Sequence, residues 1–131
     1  MNVFLSHAPE DQEWARELAS NLRRRGIKVW DSASELSPGE NWHLQVGKAL
    51  EEAQAMIVLI SPAAAESEEL AHEIEYALTS KRFRDRLIPV IVKPTKKLPW
   101  ILDRLNPERG EPSQVSERIA ERLKPSQASA G

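Results

Sequence analysis

Apolar residues in this chain gather into four short runs, and the stretches between the runs repeat apolar positions with a helical period. The runs are Val3-Phe4-Leu5, Ile27-Lys28-Val29-Trp30, Met56-Ile57-Val58-Leu59-Ile60 and Leu87-Ile88-Pro89-Val90-Ile91-Val92. Short, continuous and rich in β-branched residues, they predict buried strands. They begin 24 to 31 residues apart, the length of a strand–helix repeat. Between the first two, Trp14, Leu18 and Leu22 recur every fourth residue with Ala15 and Ala19 beside them, which is one apolar helical stripe. Asp11 and Glu13 at its start, and Arg23-Arg24-Arg25 then Gly26 at its end, fit the macrodipole and a glycine stop. A second helix is predicted from about Asn41, with Trp42, Val46, Ala49 and Ala53 inward. A third carries Leu70, Ile74, Ala77 and Leu78, and a last one Val115, Ile119 and Leu123. Pro94, Pro99, Pro107 and Gly110 break the stretch before the last helix, where a short fifth strand is expected around Ile101 to Leu105.

Strands alternating with helices imply an α/β fold, a parallel sheet covered on both faces, with right-handed crossovers. Pro89 has no N–H to give a ladder, so the fourth strand should lie near a sheet edge or bulge at that point. One domain is expected over residues 1–124. The stretch 125–131, Pro125-Ser126-Gln127-Ala128-Ser129-Ala130-Gly131, reads as a tail or as a linker toward a further domain.

Composition narrows the function classes. A chain of 131 residues has the length of one domain, and 40% hydrophobic with 29% charged residues is the balance of a packed globular chain. Lys and Arg number 18 against 20 Asp and Glu, a net charge of −2, which excludes a strongly basic nucleic-acid binder. With no cysteine, disulfides, thiolate catalysis and Cys-type zinc sites are excluded. No apolar run approaches the ~20 residues of a membrane helix, and the first residues lack the charge and length of a signal peptide. The expectation is a cytoplasmic domain that meets neither membrane nor nucleic acid directly.

In a doubly wound sheet the ligand crevice lies at the carboxyl ends of the strands. That rule selects Ser6-His7, Asp31-Ser32 and Ser61-Pro62. No G-x-G-x-x-G or G-x-x-x-x-G-K-[ST] phosphate loop is present. The acidic strand ends of a phosphoacceptor receiver are also missing. Val3-Phe4-Leu5-Ser6-His7 followed by Asp11 resembles the first motif of the Toll/interleukin-1 receptor (TIR) domain. Gly26-Ile27-Lys28-Val29-Trp30-Asp31, then Leu36-Ser37-Pro38-Gly39, resembles its second strand and Pro-Gly loop. Ile57-Val58-Leu59-Ile60-Ser61-Pro62, then Ser67 and Glu73, resembles its third strand and third helix.

The resemblance implies a flavodoxin-like three-layer sandwich, a five-stranded parallel sheet of order 2-1-3-4-5. It implies cleavage of the nicotinamide–ribose bond of NAD⁺, as in bacterial-type TIR enzymes, giving ADP-ribose or a cyclic isomer within a defence or signalling system. NAD⁺ is then substrate, with no resident cofactor. The family's essential Glu lies six residues after a Ser, the spacing of Ser67 and Glu73. Ser6, His7, Trp30 and Asp31 would line the pocket, and the loop from Ser32 to Asn41 would close it. Self-assembly with other TIR domains, and a sensor domain beyond residue 131, are the implied partners. Where the family's enzymes often carry Trp four residues before the Glu, this sequence has Glu69. The alternative under the same resemblance is a non-enzymatic adaptor acting through TIR–TIR contact.

Read without the family, Glu73 falls at the border of the third helix's apolar stripe at about 100° per residue. A carboxylate there is partly desolvated, which raises its pKa, and Glu69 one turn earlier repels it by about 0.2–0.5 kcal/mol. A solvated helix edge is the plain alternative. His7 is either a substrate contact or an ordinary loop histidine. Trp30 and Trp42 flank the Pro-Gly loop and can stack on a base, although Trp42 also fits a core position. Glu69, His72 and Glu73 share one helix, but a carboxylate-bridged metal needs a matching set on other helices, so no metal is expected. Arg23-Arg24-Arg25 and the cluster from Lys81 to Arg86 read as helix-end charges, with a phosphate contact or an assembly surface as the alternative.

Overall fold

The structure is a computed structural model. It describes residues 1–31, 42–80, 83, 86–95 and 100–123. The Pro-Gly loop, the stretch from Ser32 to Asn41, most of the Lys81 to Arg86 cluster and the tail 125–131 lie outside the described residues, as do the side chains of Trp42 and Glu69. The described elements are β1 (Asn2–Ser6), a 3-10 turn (Pro9–Asp11), α1 (Gln12–Arg24), β2 (Lys28–Asp31), α2 (Trp42–Glu52), β3 (Ala55–Ile60), α3 (Pro62–Ala65) and α4 (Glu68–Thr79). They continue with β4 (Leu87–Ile91), a 3-10 helix (Trp100–Leu105), β5 (Glu108–Arg109) and α5 (Pro112–Leu123). The five strands are parallel and lie in the order β2-β1-β3-β4-β5.

Alternation along each strand divides the core in two. Val3 and Leu5 of β1, with Ile57 and Leu59 of β3, join Leu18 and Leu22 of α1 and Val115 and Ile119 of α5. Phe4, Met56, Val58 and Ile60 face the other way, onto Val46 and Leu50 of α2 and Leu70 and Ile74 of α4. All six residues of β3 are buried, as the middle strand of a covered parallel sheet requires. Each fully buried Leu, Ile or Phe contributes about 1.5–3 kcal/mol relative to exposure. The four apolar runs and the inward faces of α1 and α5 are where the periodicity places them. Leu78, expected inward on the third helix, is exposed beside Tyr76.

α1 ends by the glycine device its sequence announces. Gly26 takes φ +84°, its N–H reaches the Arg23 carbonyl at 3.0 Å, and the Ile27 N–H reaches the Leu22 carbonyl at 3.1 Å. This is a Schellman cap, completed by Ile27 and Leu22 in the same apolar cluster.

The fifth strand is not at Ile101 to Leu105. That segment is a 3-10 helix, and the strand is Glu108–Arg109, paired Val90↔Glu108 and Ile91↔Arg109. Leu102 is fully buried and Leu105 packs on the same cluster. Their spacing of three is the 3-10 period, in which residues i and i+3 stand one above the other. A strand made of one Glu and one Arg has no apolar signal. It is tied to α5, where Arg118 and Arg122 bond Glu108 at 2.7 and 3.0 Å. Arg122 also donates to the Asn106 and Leu105 carbonyls at 2.7 and 3.1 Å, and Arg118 donates to the Arg109 carbonyl.

Pro89 sits opposite Val58, one strand in from the two-residue edge, so the near-edge expectation holds. Because the Met56 N–H donates to Arg86 and the Val92 N–H to Ile60, even-numbered residues of β4 bond to β3. Odd-numbered ones, Pro89 among them, face β5, which reaches only Val90 and Ile91.

Candidate functional site

From β1 the chain crosses outward to β2 and then returns past β1 to β3, so the topological switch point lies between β1 and β3. Ser6 ends β1 there, and Ser61 follows β3 directly. Three buried side-chain pairings gather around this carboxyl edge.

Ser6 continues the alternation of Phe4 and projects to the α4 face. Its hydroxyl donates to Glu73 Oε2 at 2.8 Å. Both residues are buried, and Glu73 is only 4% exposed. It is therefore further inside than the border position its helical angle predicts. Ser67 sets the start of α4, accepting the Leu70 N–H at 3.2 Å and placing Glu73 nearly two turns along the helix.

His7 turns to the neighbouring strand. Its Nε2 lies 2.7 Å from Asp31 Oδ1, and its Nδ1 donates to the Ala8 carbonyl at 2.8 Å. The two side chains are 1% and 3% exposed. Burial alone would push the imidazole pKa down. The Asp31 hydrogen bond, the Ala8 carbonyl and the charges of Asp31 and Asp11 outweigh burial and hold it above the ordinary 6.5.

Asp11 and Ser61 make a pair that sequence reasoning did not assign. The Ser61 hydroxyl donates to Asp11 Oδ2 at 2.5 Å, and its oxygen accepts the Ala64 N–H at 3.1 Å, capping α3. The signal was present in Ser61-Pro62, a capping residue followed by proline at the first helical position.

The structure thus brings Ser6, His7, Asp31, Ser67 and Glu73 to one edge of the sheet, as two consecutive pairs rather than one open ring. Trp30 is half-buried, stacked on Phe4 with ring centroids 5.1 Å apart. Among the described residues no three His, Asp or Glu side chains converge in a metal-binding group. A cleft of about 210 Å³ opens at the opposite, amino ends of β1 and β2, lined by Asn2, Lys28, Trp30, Glu52 and Ala53 among others. It includes none of the paired site residues. No helix among the described residues is long and apolar enough to cross a membrane.

A family model of the TIR domain matches residues 3–125. Over 61 residues, 46% of the chain, the sequence is 38% identical to the NAD(+) hydrolase TcpA of the Theionarchaea archaeon strain DG-70-1. Over 62 residues, 47% of the chain, it is 39% identical to the 2′ cyclic ADP-D-ribose synthase BtTIR of Bacteroides thetaiotaomicron. The matched stretches span 18% and 22% of those relatives. Among solved structures, the TIR domain of the Toll-related receptor TRR-2 of Hydra magnipapillata superimposes with a TM-score of 0.75 at 24% identity, covering 92% of this chain and 93% of that one. A metazoan TIR-STING receptor from C. gigas superimposes with a TM-score of 0.76 at 26% identity, covering 94% of this chain and 40% of that one.

Proposed function

The chain belongs to the TIR domain family, and from that premise we propose that it cleaves the nicotinamide–ribose bond of NAD⁺ with Glu73 as the catalytic carboxylate. The observation that carries this reading is the setting of Glu73. Six residues after a helix-capping serine, it is buried at the carboxyl edge of the sheet and gripped by Ser6 at 2.8 Å. The two relatives named for NAD⁺ hydrolysis and cyclic ADP-ribose synthesis support the same chemistry.

Nicotinamide in NAD⁺ is already cationic and leaves with the electron pair of the C1′–N bond. No proton has to be donated to it, so the paired carboxylates of most glycosidases are not required. The ribose is left oxocarbenium-like, and a fixed carboxylate beside it lowers the barrier electrostatically. Water adds at C1′ and loses a proton to give ADP-ribose, and attack by a group of the same molecule gives a cyclic isomer. Glu73 faces the ribose in this reading and accepts its hydroxyls alongside Ser6. Ser67, half-buried, borders the substrate, and His7 and Asp31 lie behind it, while Trp30 faces the cleft at the amino ends of the strands. A second copy of the domain completes the site, so activity rises with self-assembly.

The test is nicotinamide release from NAD⁺ by concentrated protein, with a crowding agent or tethered on beads, beside Glu73→Ala. The expected result is release by the wild type and a loss of at least ~10²-fold in the variant. No release under assembling conditions overturns the enzyme reading and leaves TIR–TIR contact as the function. Equal release from Glu73→Ala overturns only the residue assignment.

A further inference from the structure

We propose that His7 is a positioning residue for Glu73: a doubly protonated ring, locked between the Ala8 carbonyl and the Asp31 carboxylate, fixes the chain at Ser6, whose hydroxyl holds Glu73. The proposal rests on the NAD⁺-cleaving reading only for what Glu73 does, not for how it is held.

The protonation state follows from the partners. A carbonyl oxygen can only accept, so Nδ1 carries a hydrogen toward Ala8. Nε2 lies 2.7 Å from a carboxylate that is nearly sealed from water. An ionised carboxylate also only accepts, so the hydrogen on the short Nε2–Oδ1 line is supplied by the ring. A proton shared along the Nε2–Oδ1 line satisfies both groups. A second carboxylate, Asp11 of the 3-10 turn, acts on the ring from the α1 side while bonded to Ser61 from the end of β3. Glu73, the carboxylate from α4, is taken up by Ser6. The balance of these groups on the ring is net retention of its proton.

Ser6 and His7 are joined by one planar peptide and are anchored in opposite directions. Ser6 bonds to a helix on one face, and His7 bonds to the adjacent strand end. With no nitrogen uncommitted and the side chain 1% exposed, His7 offers NAD⁺ no contact, unlike the role its strand-end position suggested. What it controls is where Ser6 stands. Displacement of a catalytic group by about 1 Å can cost on the order of 10²-fold in rate.

The experiment has three readouts on the whole chain. Nitrogen NMR of the His7 ring across pH should show both nitrogens protonated near neutrality and a titration midpoint above 6.5, falling in Asp31→Asn. A neutral ring at about pH 6 overturns the proposal whatever the activity. Carbon NMR of the Glu73 carboxyl should show a shifted titration midpoint in His7→Gln, as the Ser6 bond loosens, and an unchanged midpoint overturns it. Where the wild type cleaves NAD⁺, kcat should fall on the alkaline side with the midpoint of the ring. His7→Gln should lose about 10²-fold in kcat with KM within about twofold. A raised KM at unchanged kcat would make His7 a substrate contact and overturn positioning. If His7→Gln does not fold, Asp31→Asn carries all three measurements. Failure of cleavage alone sinks the NAD⁺ reading and leaves both NMR tests standing.

Discussion

One hydroxyl at Ser61 serves two groups, because it donates to the buried Asp11 carboxylate and accepts from the Ala64 N–H. Ser61→Ala removes both bonds and leaves a carboxylate buried without that donor. A loss of about 2–3 kcal/mol is expected from urea unfolding, with Ser61→Thr losing less than half of it. His7 gives the pH dependence. Its pKa is raised on folding above 6.5, so the folded state binds this proton more tightly than the unfolded chain does. The stabilisation is complete below about pH 6.5 and is lost as pH rises through the folded-state value. The thermal midpoint of the wild type should therefore fall over that alkaline window, and that of His7→Gln should lack this component. At this scale the sequence named most of the residues but not their partners. Ser6, His7, Asp31 and Glu73 were legible as strand-end and helix positions. That Ser6 would reach Glu73, 67 residues away, and that His7 would choose Asp31, depends on tertiary register that a linear pattern does not hold.

Elements differ in how they announce themselves. α1 carries its whole stop signal in sequence, and Gly26 sits at φ +84° as that signal requires. Its Cβ position is open, so Gly26→Ala meets no clash. The cost is the left-handed backbone alone, about 1–2 kcal/mol, measurable as a drop in urea midpoint at constant m-value. β1, β3 and β4 were legible because both of their faces are buried, which writes them as continuous apolar runs, and β2 by its buried Val29 and half-buried Trp30 despite the exposed Lys28. β5 was not, because its two residues are held by side chains of a helix rather than by a core. Arg122→Ala should therefore destabilise more than Glu108→Ala, by about 1 kcal/mol. It forfeits the Leu105 and Asn106 carbonyls as well as the ion pair. Denaturant unfolding of the two variants side by side checks the order. α4 misled in one place. Leu78 looked inward by spacing, but Ala77 takes the buried position beside it.

For the molecule as a whole, alternation of strands and helices was enough to predict a covered parallel sheet, while the strand order came from family resemblance. A net charge of −2 opposes association of copies only weakly. If the site is completed by a second copy, nicotinamide release should rise more steeply than linearly with protein concentration. Strict proportionality down to dilute protein would show each copy to be sufficient. The manner of association is constrained by the arginines. On β2 the residues facing away from β1 include Val29, since the Lys28 N–H bonds to Met1, and the Val29 carbonyl is taken by Arg23 at 3.1 Å. At the other rim the Arg109 carbonyl is taken by Arg118. Just before β5, the Asn106 carbonyl is likewise taken by Arg122. Acceptors at both margins of the sheet are thus plugged by guanidinium groups of the same chain, from α1 on one side and α5 on the other. Among the described residues, a neighbouring molecule laying a strand along either margin would first have to displace an arginine of this chain from a backbone acceptor, so strand addition at either rim starts at a disadvantage.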